Sequence, residues 1–111
     1  MTLAEIRKHI QEQATDLPPT IIAEYLLRLS VMLSYVGGRV AESERAAYAF
    51  KKGLLADGKM SDAKAETFMR AEPVWETYRK MKFEYESTIE LIRSLKYLKR
   101  MAEEDFVNSS V

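Results

Sequence analysis

His9 has Glu5 four residues before it and Glu12 three residues after it, a spacing that would supply half of a metal site on one helix. No second half follows. The chain has no cysteine and no H-E-x-x-H segment, so the reading for His9 is an ordinary surface side chain on a short charged helix. Glu86 and Glu90 lie one turn apart with Glu84 close by, and paired acids can serve general acid and base work or hold iron in a helical bundle. The Glu-x-x-His motifs of such bundles are missing, and Lys82 and Arg93 are interspersed among these acids. They read as a solvated helix face. Ser30, Ser34, Ser43, Ser87 and Ser94 have no histidine in a recognisable relationship to them, which leaves nucleophilic catalysis without a base. Neither G-x-x-x-x-G-K-[ST] nor G-x-G-x-x-G is present, and Gly37-Gly38 falls inside a helical pattern with no preceding strand, where it cradles no phosphate. The expectation is a protein that is not an enzyme, with no catalytic residue, cofactor or metal.

Two further sets of side chains suit binding. Arg93, Lys96 and Arg100 recur at three and four residues near the end of the chain, with Lys99 beside them, Tyr97 between them and Lys82 further back. Such a stripe neutralises phosphates, and a tyrosine within it can stack on an unpaired base. Glu103, Glu104 and Asp105 follow at once, and cations toward a helix C-terminus also complement its dipole. Aromatic residues gather in the same third of the chain. Tyr78 and Tyr85 share the apolar period described below, whereas Trp75 and Phe83 fall off it. Large aromatics so placed are frequent anchors of protein interfaces, so Trp75 and Phe83 are the candidate partner-binding residues.

Composition narrows the field. Hydrophobic residues make up 47% and charged residues 31% of 111 positions, enough for one core and too apolar for a disordered chain. Seventeen basic residues balance seventeen acidic ones, so no overall field draws the protein to nucleic acid or an anionic membrane. The lack of cysteine fits a reducing cytoplasm. The first residues carry charges and no apolar stretch of signal-peptide length. The most apolar run, about Tyr25 to Val36, is broken by Arg28, Ser30 and Ser34. It is shorter than the roughly 18 to 20 residues of a bilayer span, so it reads as a core segment and not a membrane anchor.

Four helices must position these groups. Thr2 and Glu5 have the form of a capping box opening a helix over about 3–15, with Leu3, Ile6 and Ile10 on one stripe. Pro18 and Pro19 end that pattern. From about 20 to 56, Ile22, Leu26, Leu29, Leu33, Val36, Val40, Ser43, Ala47, Phe50 and Leu54 advance by four and three alternately, the seam of a coiled coil. The phase is the same on both sides of Gly37-Gly38, which favours one continuous helix. Gly58 closes it, Ser61 caps a short helix over about 62–70, and Pro73 opens a last helix over about 73–107. There Val74, Tyr78, Met81, Tyr85, Thr88, Ile92, Leu95, Lys99, Ala102 and Phe106 repeat the seam, with Leu91 and Leu98 flanking it. The two seams are of equal length, roughly 50 Å at ~1.5 Å per residue. The expected fold is a single all-α domain over 1–111, an antiparallel helical hairpin with a short N-terminal and a short connecting helix. Tyr25, Met32, Trp75, Ile89, Leu91 and Met101 add apolar surface beyond the seams; the N-terminal and short connecting helices can cover part of it, and a homodimer is the expected means of covering the rest.

The runs LLRLSVMLSYVGGRVAESERAAYAFKKG and SDAKAETFMRAEPVWETYRKMKFEYESTIELIRSLKYLKRMAEE resemble a loose class of small helical proteins carried by bacteriophages and prophages. The resemblance covers about Leu26 to Glu104. It rests on the L-x-x-L-x-x-x-L-x-Y-[LV]-G pattern from Leu26 to Gly37 and on a closing segment with Ile92, Leu95, Lys96 and Glu103. It implies a setting near phage replication and recombination functions, in the host cytoplasm, with no assigned activity and no catalytic residues to transfer. Compact helical phage proteins that inhibit host anti-phage complexes are of similar size.

Two readings of function therefore stand side by side. One is a phage-type interaction protein that binds a protein of DNA recombination, replication or host defence through Trp75 and Phe83. The other is a nucleic-acid-binding accessory protein using Lys82, Arg93, Lys96, Lys99 and Arg100.

Overall fold

The computed structural model describes residues 2–13 and 17–109, with side-chain surroundings up to residue 105. It is all-α among the described residues: α1 (Leu3–Gln13), α2 (Pro19–Leu55), α3 (Asp62–Arg70) and α4 (Pro73–Ser109). The helix starts are written locally. Thr2 and Glu5 close the capping box, each backbone N–H meeting the other's side-chain oxygen at 3.4 and 3.2 Å, which satisfies two donors the first turn would otherwise leave unpaired. Ser61 Oγ accepts from the Lys64 N–H at 3.2 Å to start α3. Proline at the first position opens α4. Between α2 and α3, Gly58 takes a φ of 70°, its N–H donates to the Leu55 carbonyl at 3.1 Å, and Asp57 Oδ1 accepts from Lys59 N–H at 3.0 Å. That left-handed turn suits glycine. α2 runs unbroken through Gly37-Gly38. The expected end of α1 near residue 15 lies outside the described residues, as does the side chain of Phe106.

Burial follows the apolar period. Along α2, Ile22, Leu29, Val36 and Ala47 are buried, and every other seam position is half-buried. Along α4, Thr88 and Leu95 are buried and the remaining described positions are half-buried, except Lys99, which is exposed. α2 and α4 pack against each other.

The chain forms two compact units, and both long helices contribute to each. The first comprises 1–34 and 87–111. Its core joins Ile6 and Ile10 of α1, Leu17, then Ile22, Tyr25 and Leu29 of α2, and Leu91 and Leu95 of α4. Leu3, Ile21, Leu26, Met32, Ile92 and Leu98 pack around that core. α1 is thus part of the core through its Ile6 and Ile10 stripe. His9 differs from its sequence reading: it is half-buried, with Nδ1 bonded to the Tyr25 hydroxyl and Nε2 3.1 Å from Gln13 Oε1. With the Gln13 oxygen as acceptor, Nε2 carries the ring hydrogen and Tyr25 donates to Nδ1. The cause is the docking of α1, which sets the imidazole over a tyrosine that is itself only 4% exposed.

The second unit comprises 35–86, with Val36, Ala47, Ala65 and Met69 buried. Lys51 of α2 reaches α3, its Nζ 3.0 Å from Glu66 Oε2 and 3.2 Å from Asp62 Oδ1, while Arg70 holds the other Glu66 oxygen at 3.0 Å. The Lys51 and Arg70 hydrogen bonds keep the Glu66 carboxyl below its ordinary range. The Glu66 bond, opposed by partial burial and aided by Asp62, raises Lys51.

Candidate partner-binding face

In the second unit, successive turns of α4 place Trp75, Tyr78, Arg79, Lys82, Phe83 and Glu86 on one side, at the three- and four-residue spacing that makes helix neighbours. They line an open groove of about 760 Å³, to which Tyr48 of α2 and Arg70 of α3 also contribute. Trp75 is half-buried. Its ring meets Tyr78 at 5.1 Å between centroids with the planes tilted by 45°, and the Arg70 guanidinium lies 5.7 Å from its centre. Lys82 Nζ stands 6.0 Å over the Tyr78 ring. Cation and aromatic thus alternate across the groove, each pair favoured by the negative face of the ring. Phe83 differs: it is 69% exposed, flanked on its other side by Glu76, Lys80 and Glu84.

The two aromatics singled out by their place off the seam therefore line one groove, with Trp75 fixed in it and Phe83 presented to solvent. Sequence reasoning missed Tyr48 and Arg70, because they come from other helices.

The cations of this face differ in what holds them. Arg70 is shared with Glu66 and Lys80 with Glu76 at 3.3 Å. Arg79 and Lys82 form no salt bridge among the described residues.

Lys82 belongs to the groove of the second unit, while Arg93, Lys96, Lys99 and Arg100 belong to the first. Arg93 donates to Glu90 at 2.7 Å, which offsets its charge. Lys96, Lys99 and Arg100 are exposed, with Tyr97 60% exposed between them.

The apolar surface beyond the seams is covered in part. Tyr25 and Leu91 are buried, whereas Leu27 and Val31, one turn apart on α2, are 68% and 64% exposed. The reason is α1, which covers one side of α2 and leaves the other bare. By length and composition α2 is also long and apolar enough to cross a bilayer, and 22% of its apolar 18-residue stretch is buried. The core-segment reading of this run thus holds for Tyr25, Leu29 and Val36 and fails for Leu27 and Val31. No group of three metal-ligating side chains occurs among the described residues. Comparison with protein-family models, curated proteins and solved structures returned no match.

Proposed function

We propose that the chain is a non-enzymatic helical interaction protein, a coiled-coil-like antiparallel hairpin that engages a protein partner through the face of Trp75 and Phe83. The observation that carries this is Phe83, a phenyl ring left 69% exposed beside a groove in which Trp75 and Tyr78 are already packed. An aromatic of that size gains free energy when a partner covers it, and a rigid apolar anchor with a polar surround is how interfaces concentrate their energy. The hairpin reading is supported by the seam, whose positions are buried or half-buried along both long helices apart from Lys99.

Self-association through Leu27 and Val31 is part of the same reading, because two large apolar side chains one turn apart form a strip that a second copy can cover. The phage-type setting, a partner in DNA recombination, replication or host defence, and a cytoplasmic location are carried by the sequence resemblance.

Nucleic-acid binding is the second reading, favoured by Tyr97 standing exposed among Lys96, Lys99 and Arg100. A titration with single-stranded and duplex DNA at two salt concentrations tests it beside the first. Binding that weakens steeply with salt and is lost in an R93A/K96A/R100A variant would replace the first reading. No DNA binding, together with an alanine scan in which F83A abolishes capture of a purified partner, is the expected result.

A further inference from the structure

We infer that the groove takes an acidic segment of a partner protein, whose carboxylates sit against Arg79 and Lys82 while an apolar side chain covers Phe83. The inference rests on the protein-partner reading above and adds the chemistry of the partner. Of the charged residues lining the groove, Arg70, Arg79 and Lys82 are cationic and Glu86 alone is anionic. Arg70 already has Glu66 at 3.0 Å, and Glu86 forms no salt bridge with any of the three. Arg79 and Lys82, three residues apart on the same helix, therefore form no salt bridge among the described residues, while Glu76 and Glu84 stand with Arg79 and Lys80 on the other side of Phe83. Phe83 follows directly, so charge and apolar anchor are presented together. A segment carrying acids beside a leucine or aromatic complements all three, and an arginine fork takes a carboxylate in two parallel hydrogen bonds.

A single-stranded nucleic acid fits the groove less well. Base stacking needs free aromatic faces, and here Trp75 is in contact with Tyr78 and Arg70 and Tyr78 carries Lys82, which leaves Phe83 as the one ring of α4 in the groove free to stack.

The test is selection of a random-peptide display library on the immobilised full chain, followed by titration of the synthesised winners and of an oligo-dT strand. The expected winners carry acids flanking a leucine or aromatic, weaken with salt, and lose about tenfold or more in affinity to an R79E/K82E variant and to F83A. Both variants change exposed side chains, and retained helical circular dichroism shows that they fold. Winners without acids that still need Phe83 would overturn the acidic partner and leave the face intact. Winners indifferent to Phe83 would overturn the face itself. Oligo-dT binding lost in R79E/K82E would assign the groove to nucleic acid instead.

Discussion

A Cβ atom placed on Gly37 would lie 3.3 Å from Cε2 of Tyr85, so the tyrosine ring rests on the α2 backbone where no side chain intervenes. Both belong to the second unit, Gly37 next to Val36 on α2 and Tyr85 on the apolar period of α4. The close approach explains why a glycine, unfavourable in a helix interior by about 1 kcal/mol relative to alanine, stands there. Its neighbour Gly38 has nothing within 4 Å of an added Cβ.

The pair makes a differential prediction. Gly38→Ala should stabilise the protein by about 0.5 to 1 kcal/mol through helix propensity alone. Gly37→Ala should gain less than that or lose stability, since Tyr85 must shift by a few tenths of an ångström. Chemical denaturation of both variants checks it, and equal gains would mean that the ring does not press on Gly37.

The His9 and Tyr25 contact makes a second. Tyr25→Phe keeps the ring in the core of the first unit and removes the hydroxyl, leaving His9 Nδ1 without its donor. A loss of about 1 to 2 kcal/mol is expected for a partly buried group so deprived. A double-mutant cycle with His9→Ala should show coupling, and strict additivity would argue that the two side chains act independently.

How far these features were legible in the sequence depends on distance along the chain. The helix ends at Pro19, Gly58, Ser61 and Pro73 are set by residues within a turn of the boundary, and local spacing gave them to within one or two residues. The apolar period of the two long helices was legible for the same reason. Burial of Tyr25 against exposure of Leu27 was not, because it depends on which side of α2 receives α1. Likewise His9 meets a partner sixteen residues away, Lys51 one fifteen away, and Gly37 one on another helix. Of the site, the off-seam position of Trp75 and Phe83 could be read directly. That Lys82 joins their groove while Arg93 turns to Glu90 could not, since a stripe of like charges on paper says nothing of the acids each one finds.

The Lys51 and Glu66 bond makes a prediction about pH. Glu66 has a lowered folded-state pKa, so its contribution to stability is complete above the ordinary glutamate value of about 4.3 and is lost as pH falls through the lowered one. Glu66→Gln should lower the denaturation midpoint at neutral pH and flatten its decline below pH ~4. Lys51 is raised, so its share persists through neutral pH and disappears only as alkaline pH passes its elevated value. An unchanged acid limb in the glutamine variant would show that other carboxylates govern acid unfolding.

The bare side of α2 is testable by mass. If copies meet through Leu27 and Val31, a L27E/V31E variant should stay helical and fall to the monomer mass in light scattering. Both residues are more than three-fifths exposed, so the fold should lose little, within about 0.5 kcal/mol. A wild-type protein already monomeric at high concentration would rule the interface out.

The chain has a single tryptophan, and it sits in the groove between a tyrosine ring and a guanidinium. The protein thus carries its own optical reporter at the place where a partner is expected. Its emission will shift as water leaves the groove, the tyrosines being much weaker emitters at the red edge of excitation. Occupancy can then be followed in unlabelled protein, in real time, with the unperturbed surface intact.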